Sequence, residues 1–184
     1  MAKGILVILS GPSGAGKDTV IQAWAEADPR VKRVITCTTR APRDGEVDGV
    51  HYHFLTKEQF EDKMQRGELL EQEPVYTETM YGTPRDGVES LLAAGRIAVL
   101  NVDVNGAKAI KRLYPDAATV FILPPSKEEL KRRLMMRDPD ADPRRVEERL
   151  KRAEMEIAQS GWYEHRIVND QVSAVVAQLE EIVR

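Results

Sequence analysis

Ile5-Leu-Val-Ile-Leu-Ser10 runs straight into Gly11-Pro-Ser-Gly-Ala-Gly-Lys17, which runs into Asp18-Thr-Val-Ile-Gln-Ala-Trp-Ala-Glu-Ala27. The apolar run Ile5–Leu9 fits a strand buried on both faces and ending at glycines. Lys17–Ala27 carries a helical pattern. Between them, glycines let the backbone bend tightly and point its N–H groups inward. A strand, a G-x-x-x-x-G-K loop and a helix in that order make a phosphate-binding loop, to which the helix adds the positive end of its dipole. Lys17 then reaches the β- and γ-phosphates of a nucleoside triphosphate. Gly11, Ser13, Gly14, Ala15, Gly16, Lys17, Asp18 and Thr19 are the candidate residues of this donor site.

Outward from the loop, short apolar runs alternate with helical patterns. Strand signals fall at Ile97–Val102, Thr119–Leu123 and Arg166–Val168, and helical patterns at Val104–Leu113, Lys127–Arg137 and Val172–Val183. This alternation predicts an α/β protein: a parallel sheet flanked by helices, with ligands at the carboxyl ends of its strands. Two stretches break the rhythm and read as insertions. Residues 36–94 begin rich in turns and hold two helix starts, a Thr56/Gln59 capping box and Thr83 followed by Pro84. Residues 126–156 are crowded with arginine. They hold a Ser126/Glu129 capping box, an Asp142-Pro143 start, and Glu147/Lys151 and Glu148/Arg152 pairs at i,i+4 spacing. The expected organisation is one domain over 1–184, with its core in 1–35, 95–125 and 157–184.

The length of 184 residues suits such a domain, and 42% hydrophobic with 31% charged residues excludes global disorder. A net charge of -3 gives no basic field for nucleic acid or an acidic membrane, and 5% aromatics leave little stacking surface for single strands. Cys37 is the one cysteine, which excludes an internal disulfide and a four-cysteine zinc site. It reads as a small buried residue. His51, His53 and His165 have no metal spacing, and Trp24 and Trp162 read as packing residues. No segment reaches membrane length, so the expected location is the cytoplasm.

Further motifs follow the loop in a fixed order: Thr36-Cys-Thr-Thr-Arg-Ala-Pro-Arg43, Gly45-Glu-Val-Asp-Gly49, His51-Tyr-His-Phe54, Gly67-Glu-Leu-Leu-Glu71, Tyr81-Gly-Thr-Pro-Arg85, Phe121-Ile-Leu-Pro-Pro-Ser126 and Val168-Asn-Asp170. Together, behind a phosphate loop, they resemble guanylate kinase, a family of P-loop nucleoside monophosphate kinases, over nearly the whole chain. The resemblance implies that ATP with Mg²⁺ binds at the phosphate loop and that GMP binds in an inserted lobe, 36–94. It also implies a helical lid, 126–156, that closes during transfer. Arg40 and Arg43 would grip the GMP phosphate with forked donors, helped by Tyr52 and Tyr81. Glu71 would accept from the guanine ring N1–H and exocyclic amine, a donor pair that adenine lacks. Thr36, Thr83 and Asp103 match positions around the base. Arg137 and Arg149 match lid arginines that reach the phosphates, so Lys17, Arg40, Arg137 and Arg149 are the expected catalytic cations. Asn169 matches a position near the ATP base. Arg132, Arg133, Arg144 and Arg145 read as solvated.

The chain departs from that pattern in four places. Asp18 stands where the family has a serine or threonine that helps hold Mg²⁺. It either approaches the metal, directly or through water, with Thr19 supplying a hydroxyl, or is only an acid at a helix N-terminus. Asn101, in Ile97-Ala-Val-Leu-Asn-Val-Asp103, stands where the family usually has an acid. One charge is thus lost and one gained, so the acidic role is expected to have partly moved between them, at strand ends expected to converge. The segment Glu73–Met80 is about one residue longer than usual, and Asp138-Pro-Asp-Ala-Asp142 replaces a glycine-rich lid turn. Two other readings remain: a P-loop kinase of a sugar phosphate such as ribose 1,5-bisphosphate, suggested by Gly-Lys-Asp-Thr, and a non-catalytic binding module of the same fold.

Overall fold

The computed structural model describes residues 4–74, 79–137 and 142–184, the side chains of 72–74 and 137 excepted. The added length within 73–80 and the turn 138–141 therefore lie largely outside the described residues. At the centre is β1 (Ile5–Ser10), paired in parallel with β7 (Ile97–Asn101) on one side and β8 (Ala118–Leu123) on the other. β2 (Val31–Arg33) extends the sheet beyond β7, and β9 (His165–Val168) extends it beyond β8, giving the parallel order β2-β7-β1-β8-β9. The four strands expected from apolar runs are present. β2 is an addition: three residues, two of them charged, form an edge strand without any apolar run.

Alternation along β1 feeds two cores. Val7 and Leu9 pack with Val20 and Trp24 of α1 (Lys17–Ala27) and with Val175 and Leu179 of α7 (Val172–Ile182). Leu6 and Ile8 face the other way, onto Val88 of α3 (Arg85–Ala93) and Ala107 and Ile110 of α4 (Val104–Leu113). Burial on both faces is why β1 reads as a continuous apolar run. At its carboxyl end the chain must turn under β8. Gly11 has φ 148°, and a Cβ there would lie 2.3 Å from the Ile122 carbonyl oxygen. The Ser10 hydroxyl donates to the Val102 carbonyl at 2.8 Å and ties the ends of β1 and β7 together.

A second sheet, ordered β4-β3-β6-β5, is built from β3 (Cys37–Thr38), β4 (His53–Phe54), β5 (Leu69–Pro74) and β6 (Met80–Pro84). Its register shifts between Leu69 and Gln72, so Glu71 falls at a bulge, the irregularity that re-aims side chains beside sites. α2 (Lys57–Gln65) starts at the expected reciprocal box: Thr56 Oγ1 accepts from the Gln59 N–H and Gln59 Oε1 accepts from the Thr56 N–H. Thr83 is not the cap of α3. Pro84 holds that position, and Thr83 lies buried within β6. Cys37 is buried as expected, and burial pushes its thiol up to about 11, which keeps it protonated and inert.

The arginine-rich insertion forms α5 (Lys127–Arg137) and α6 (Pro143–Ala158), which share a small core of Leu130, Leu134, Val146, Leu150 and Ala153. Asp142 caps α6 by accepting from the Arg144 N–H, with Pro143 at the first position. Ser126 accepts from the Glu129 N–H at 3.1 Å, but the Glu129 carboxylate turns to Arg132 and Arg133 instead of closing the box. Lys151 pairs with Glu147 as expected, and Arg152 pairs with Glu156.

Candidate active site

The phosphate loop sits at the carboxyl edge of the parallel sheet, where crossover connections leave a crevice. Gly16 adopts φ 86° as the N-cap of α1, and a Cβ there would meet Asn169 Nδ2 at 2.5 Å. That close approach is structural. Asn169 is 3% exposed, and its amide donates to the Ala15 carbonyl at 2.7 Å, pinning the loop from beneath. Asn169 is therefore under the loop rather than along the cleft wall where the base of ATP was expected. Ala15 is also buried. Lys17 Nζ curls back and donates to the carbonyls of Gly11 and of Pro12, the latter at 3.1 Å. Gly11, Ser13, Gly14, Gly16, Lys17, Asp18 and Thr19 line one wall of a cleft of about 770 Å³.

Asp18 and Asn101 do converge. Asn101 Nδ2 donates to Asp18 Oδ1 at 3.1 Å, across 83 residues of chain. The same oxygen takes Arg33 NH1 at 3.0 Å. Arg33 was given no role from sequence, because β2 itself was not foreseen.

The opposite wall holds Thr36, Arg43, Tyr52, Glu71, Tyr81 and Asp103. Glu71 Oε1 accepts from the Thr83 hydroxyl at 2.7 Å, so Thr83 orients the carboxylate from its buried position in β6. A Cβ on Gly106 would sit 3.3 Å from Glu71 Oε2. Asp103, the N-cap of α4, accepts from the Gly106 N–H at 2.8 Å. Both carboxylates therefore lie at the amino-terminal end of α4. An anionic acceptor held rigidly in this way suits two adjacent N–H donors on a planar base.

Arg40 is not open-handed toward the cleft. Its fork grips Glu46 at 2.8 and 2.9 Å, NH1 also donates to the Ala41 carbonyl, and Nε reaches the Tyr81 hydroxyl at 3.3 Å. The guanidinium stacks near Tyr52 and Phe54, 5.5 and 5.7 Å from their ring centroids. Glu46 also accepts from the Arg43 N–H, and its hydrogen bonds to Arg40 hold its carboxyl at about 2. Glu46 is thus the organiser of the arginine turn, a role unseen in sequence although Gly45-Glu46 was in view. Burial raises the Tyr52 hydroxyl, as do neighbouring Tyr81 and Asp18, while Arg33 and Arg40 oppose the rise.

The third wall comes from the arginine-rich helices and includes Arg133, Arg149, Arg152 and Glu156. Arg133 is not a solvated bystander. Its Nε donates to Glu129 and its NH2 to the Asn169 carbonyl, so it links α5 to the residue beneath the phosphate loop. Arg137 closes α5, and its side chain lies outside the described residues.

A phosphate loop at the sheet edge, faced by a wall of carboxylates, arginine and tyrosines, defines a P-loop nucleotide-binding protein with a second ligand site opposite the first. Comparison with known proteins sharpens the class. Residues 3–184 match the family described as guanylate kinase. The guanylate kinase of Symbiobacterium thermophilum is 42% identical over 181 residues, 98% of this chain and 85% of that protein. That of Clostridium perfringens is 43% identical over 180 residues, covering 98% of this chain and 82% of its own length. The crystal structure of guanylate kinase from Anaplasma phagocytophilum matches with a TM-score of 0.80 at 30% identity, over all of this chain and 86% of that one. The chain belongs to the guanylate kinase family.

Proposed function

We infer that the chain is an ATP:GMP phosphotransferase: an oxygen of the GMP phosphate attacks the γ-phosphorus of ATP, the bond to the bridging oxygen breaks, and GDP and ADP leave. The acceptor is already anionic, so no strong general base is required. The work is positioning and charge neutralisation. Lys17 meets the donor phosphates by exchanging its loop carbonyls for phosphate oxygens. Arg43, Tyr52 and Tyr81 hold the acceptor phosphate, with Arg40 behind them buttressed by Glu46. Thr36, Glu71, Thr83 and Asp103 select guanine. Arg149 and Arg137 come from the lid, and Arg133 joins them at its hinge with the loop.

The division into a core, a GMP lobe at 36–94 and a lid at 126–156 is part of this proposal, with both insertions moving as the cleft fills. So is the metal. Among the described residues no group of three His, Cys, Asp or Glu side chains is placed to hold an ion. A nucleotide-borne Mg²⁺ asks for less: phosphate oxygens, waters and one or two carboxylates. Asp18 and Thr19 line the cleft beside the loop, and Asp18 keeps Oδ2 without a partner among the described residues, so the donor set fits. Bound there, the ion would supply charge neutralisation across the β- and γ-phosphates. No helix of the described residues is long and apolar enough to cross a membrane, and the proposed setting is the cytoplasm.

The observation that carries the reading is the Glu71–Thr83 pair beside Asp103, facing the phosphate loop across one cleft. A sugar-phosphate kinase would have no use for that base-reading carboxylate, and a binding module would have no use for the intact loop. The test measures ADP release with GMP, dGMP, AMP and ribose 1,5-bisphosphate. Turnover with GMP and dGMP but not AMP is expected. Turnover confined to the sugar phosphate, or GMP binding without turnover, would overturn the proposal.

A further inference from the structure

We propose that Arg33 is the place-holding cation of the donor site: it occupies Asp18 while no nucleotide is bound and yields that carboxylate to the Mg²⁺ carried by ATP, with Asn101 holding the carboxylate in position throughout. The inference rests on the metal-facing role given to Asp18 above.

Three elements bring the cluster together. Arg33 ends β2, Asn101 ends β7 and Asp18 is the second residue of α1. The guanidinium and the amide both fall on one oxygen, Oδ1, at 3.0 and 3.1 Å. The side chain of Asp18 is nonetheless 65% exposed, against 25% for Arg33. The carboxylate is thus anchored on one side and open to the cleft on the other.

Charge decides what the open side meets. Asp18 follows Lys17 directly, in a loop shaped for a polyanion. A carboxylate beside a triphosphate is repelled unless a cation lies between. Before phosphates enter, the guanidinium serves. Once phosphates enter, a small dication is the better partner, because it brings twice the charge in a fraction of the volume and takes oxygen ligands from both sides. Asn101 completes the logic. An acid at that position would stand about one hydrogen bond from Asp18, and two like charges so close repel. A neutral amide instead donates to Asp18 and fixes it. The single carboxylate at this spot has therefore moved from the strand end to the helix, and its partner on the strand is now a donor.

The test reads metal affinity rather than turnover. Mn²⁺ is titrated by electron paramagnetic resonance into the full chain saturated with the non-hydrolysable ATP analogue AMPPNP. R33M is expected to raise Mn²⁺ affinity about two- to fivefold, the range an ion pair of this exposure represents. D18N is expected to lower it about tenfold, and R33M added to D18N should change nothing more. R33K, which keeps the charge, should stay near the parent protein, and R33Q serves if R33M does not fold. If D18N lowers affinity but neither neutral Arg33 variant raises it, the place-holder idea fails and the Asp18 reading stands. If D18N leaves affinity unchanged, both fall.

Discussion

The two phosphate sites proposed for this cleft are built by opposite means. The donor loop is one continuous stretch, 11–19, whose shape is carried by backbone. Its glycine conformations, its helix N-terminus and its own carbonyls around Lys17 do most of the work, with Asn169 as a single prop from below. The acceptor wall is assembled from separate segments around Thr36, Tyr52, Glu71, Tyr81 and Asp103, and side chains hold side chains: Thr83 orients Glu71, and Glu46 orients Arg40. A backbone cradle binds whatever carries phosphate. A side-chain constellation can distinguish one base from another, because each buried donor or acceptor left unpaired costs free energy. Mutations should therefore separate the two walls cleanly: changes on the donor side should cost rate with any acceptor, and changes on the acceptor side should cost selectivity.

The largest effect is expected at Lys17. K17M removes the cation proposed to meet the transferred group and should lower kcat about 10²- to 10³-fold, as loss of one strong transition-state donor does. GMP affinity by calorimetry should stay within about twofold. A comparable loss of GMP binding would show that the walls are not independent.

E71Q tests the other wall. A hydrogen bond to a charged acceptor contributes about 1.5–3 kcal/mol, so kcat/KM for GMP should fall about 10- to 100-fold while KM for ATP is unchanged. Discrimination against AMP should shrink in step. An unaltered acceptor profile would remove Glu71 from base reading. T83V should reproduce a weaker version of the same change, since Thr83 holds the Glu71 carboxylate through its hydroxyl.

N169A returns to the donor wall with a smaller expected effect. It leaves the Ala15 carbonyl without its buried donor, which costs about 1–3 kcal/mol in stability. Because the loop loses its prop and not its chemistry, KM for ATP should rise more than kcat falls. Parallel denaturation and kinetic measurements separate the two.

How much of this was visible beforehand follows the same division. The donor loop, β1 and α1 were legible because their information is local: a run of apolar residues, a glycine spacing and a helical period lie side by side. The paired departures at Asp18 and Asn101 were also visible, but only as a lost and a gained charge; their bond depends on the β1–β7 register. The third member, Arg33, was invisible, since Val31–Arg33 joins the sheet only by pairing with β7 and has no apolar run to announce it. On the acceptor wall, Glu71 and Thr83 were found through resemblance. The geometry that joins them comes from a bulge in β5, which propensity does not encode, so Thr83 was misread as a helix cap. Arg133 was misread as solvated because charge at helical spacing looks the same whether it faces water or a cleft.

The smallest prediction concerns the acceptor wall's own support and its response to acid. Glu46 is held at about 2 by Arg40, against 4.5 for an ordinary glutamate. Its folded-state value is depressed, so its contribution to stability is complete above about pH 4.5. Below that the unfolded chain takes up a proton that the folded chain refuses, and the contribution drains away until the folded pair itself protonates near 2. Glu129, also held at about 2 by Arg132 and Arg133, adds to the same acid slope in the parent protein, so the informative quantity is the difference between variants. E46Q should melt about 1 kcal/mol less stably at pH 7, and its Tm should fall less steeply than the parent's between pH 4.5 and 2. It should also loosen the arginine turn, raising KM for GMP modestly while leaving KM for ATP alone. If the two melting curves run parallel through that window, Glu46 does not clamp Arg40 in solution, and the acceptor wall owes its order to the aromatic rings around the guanidinium instead.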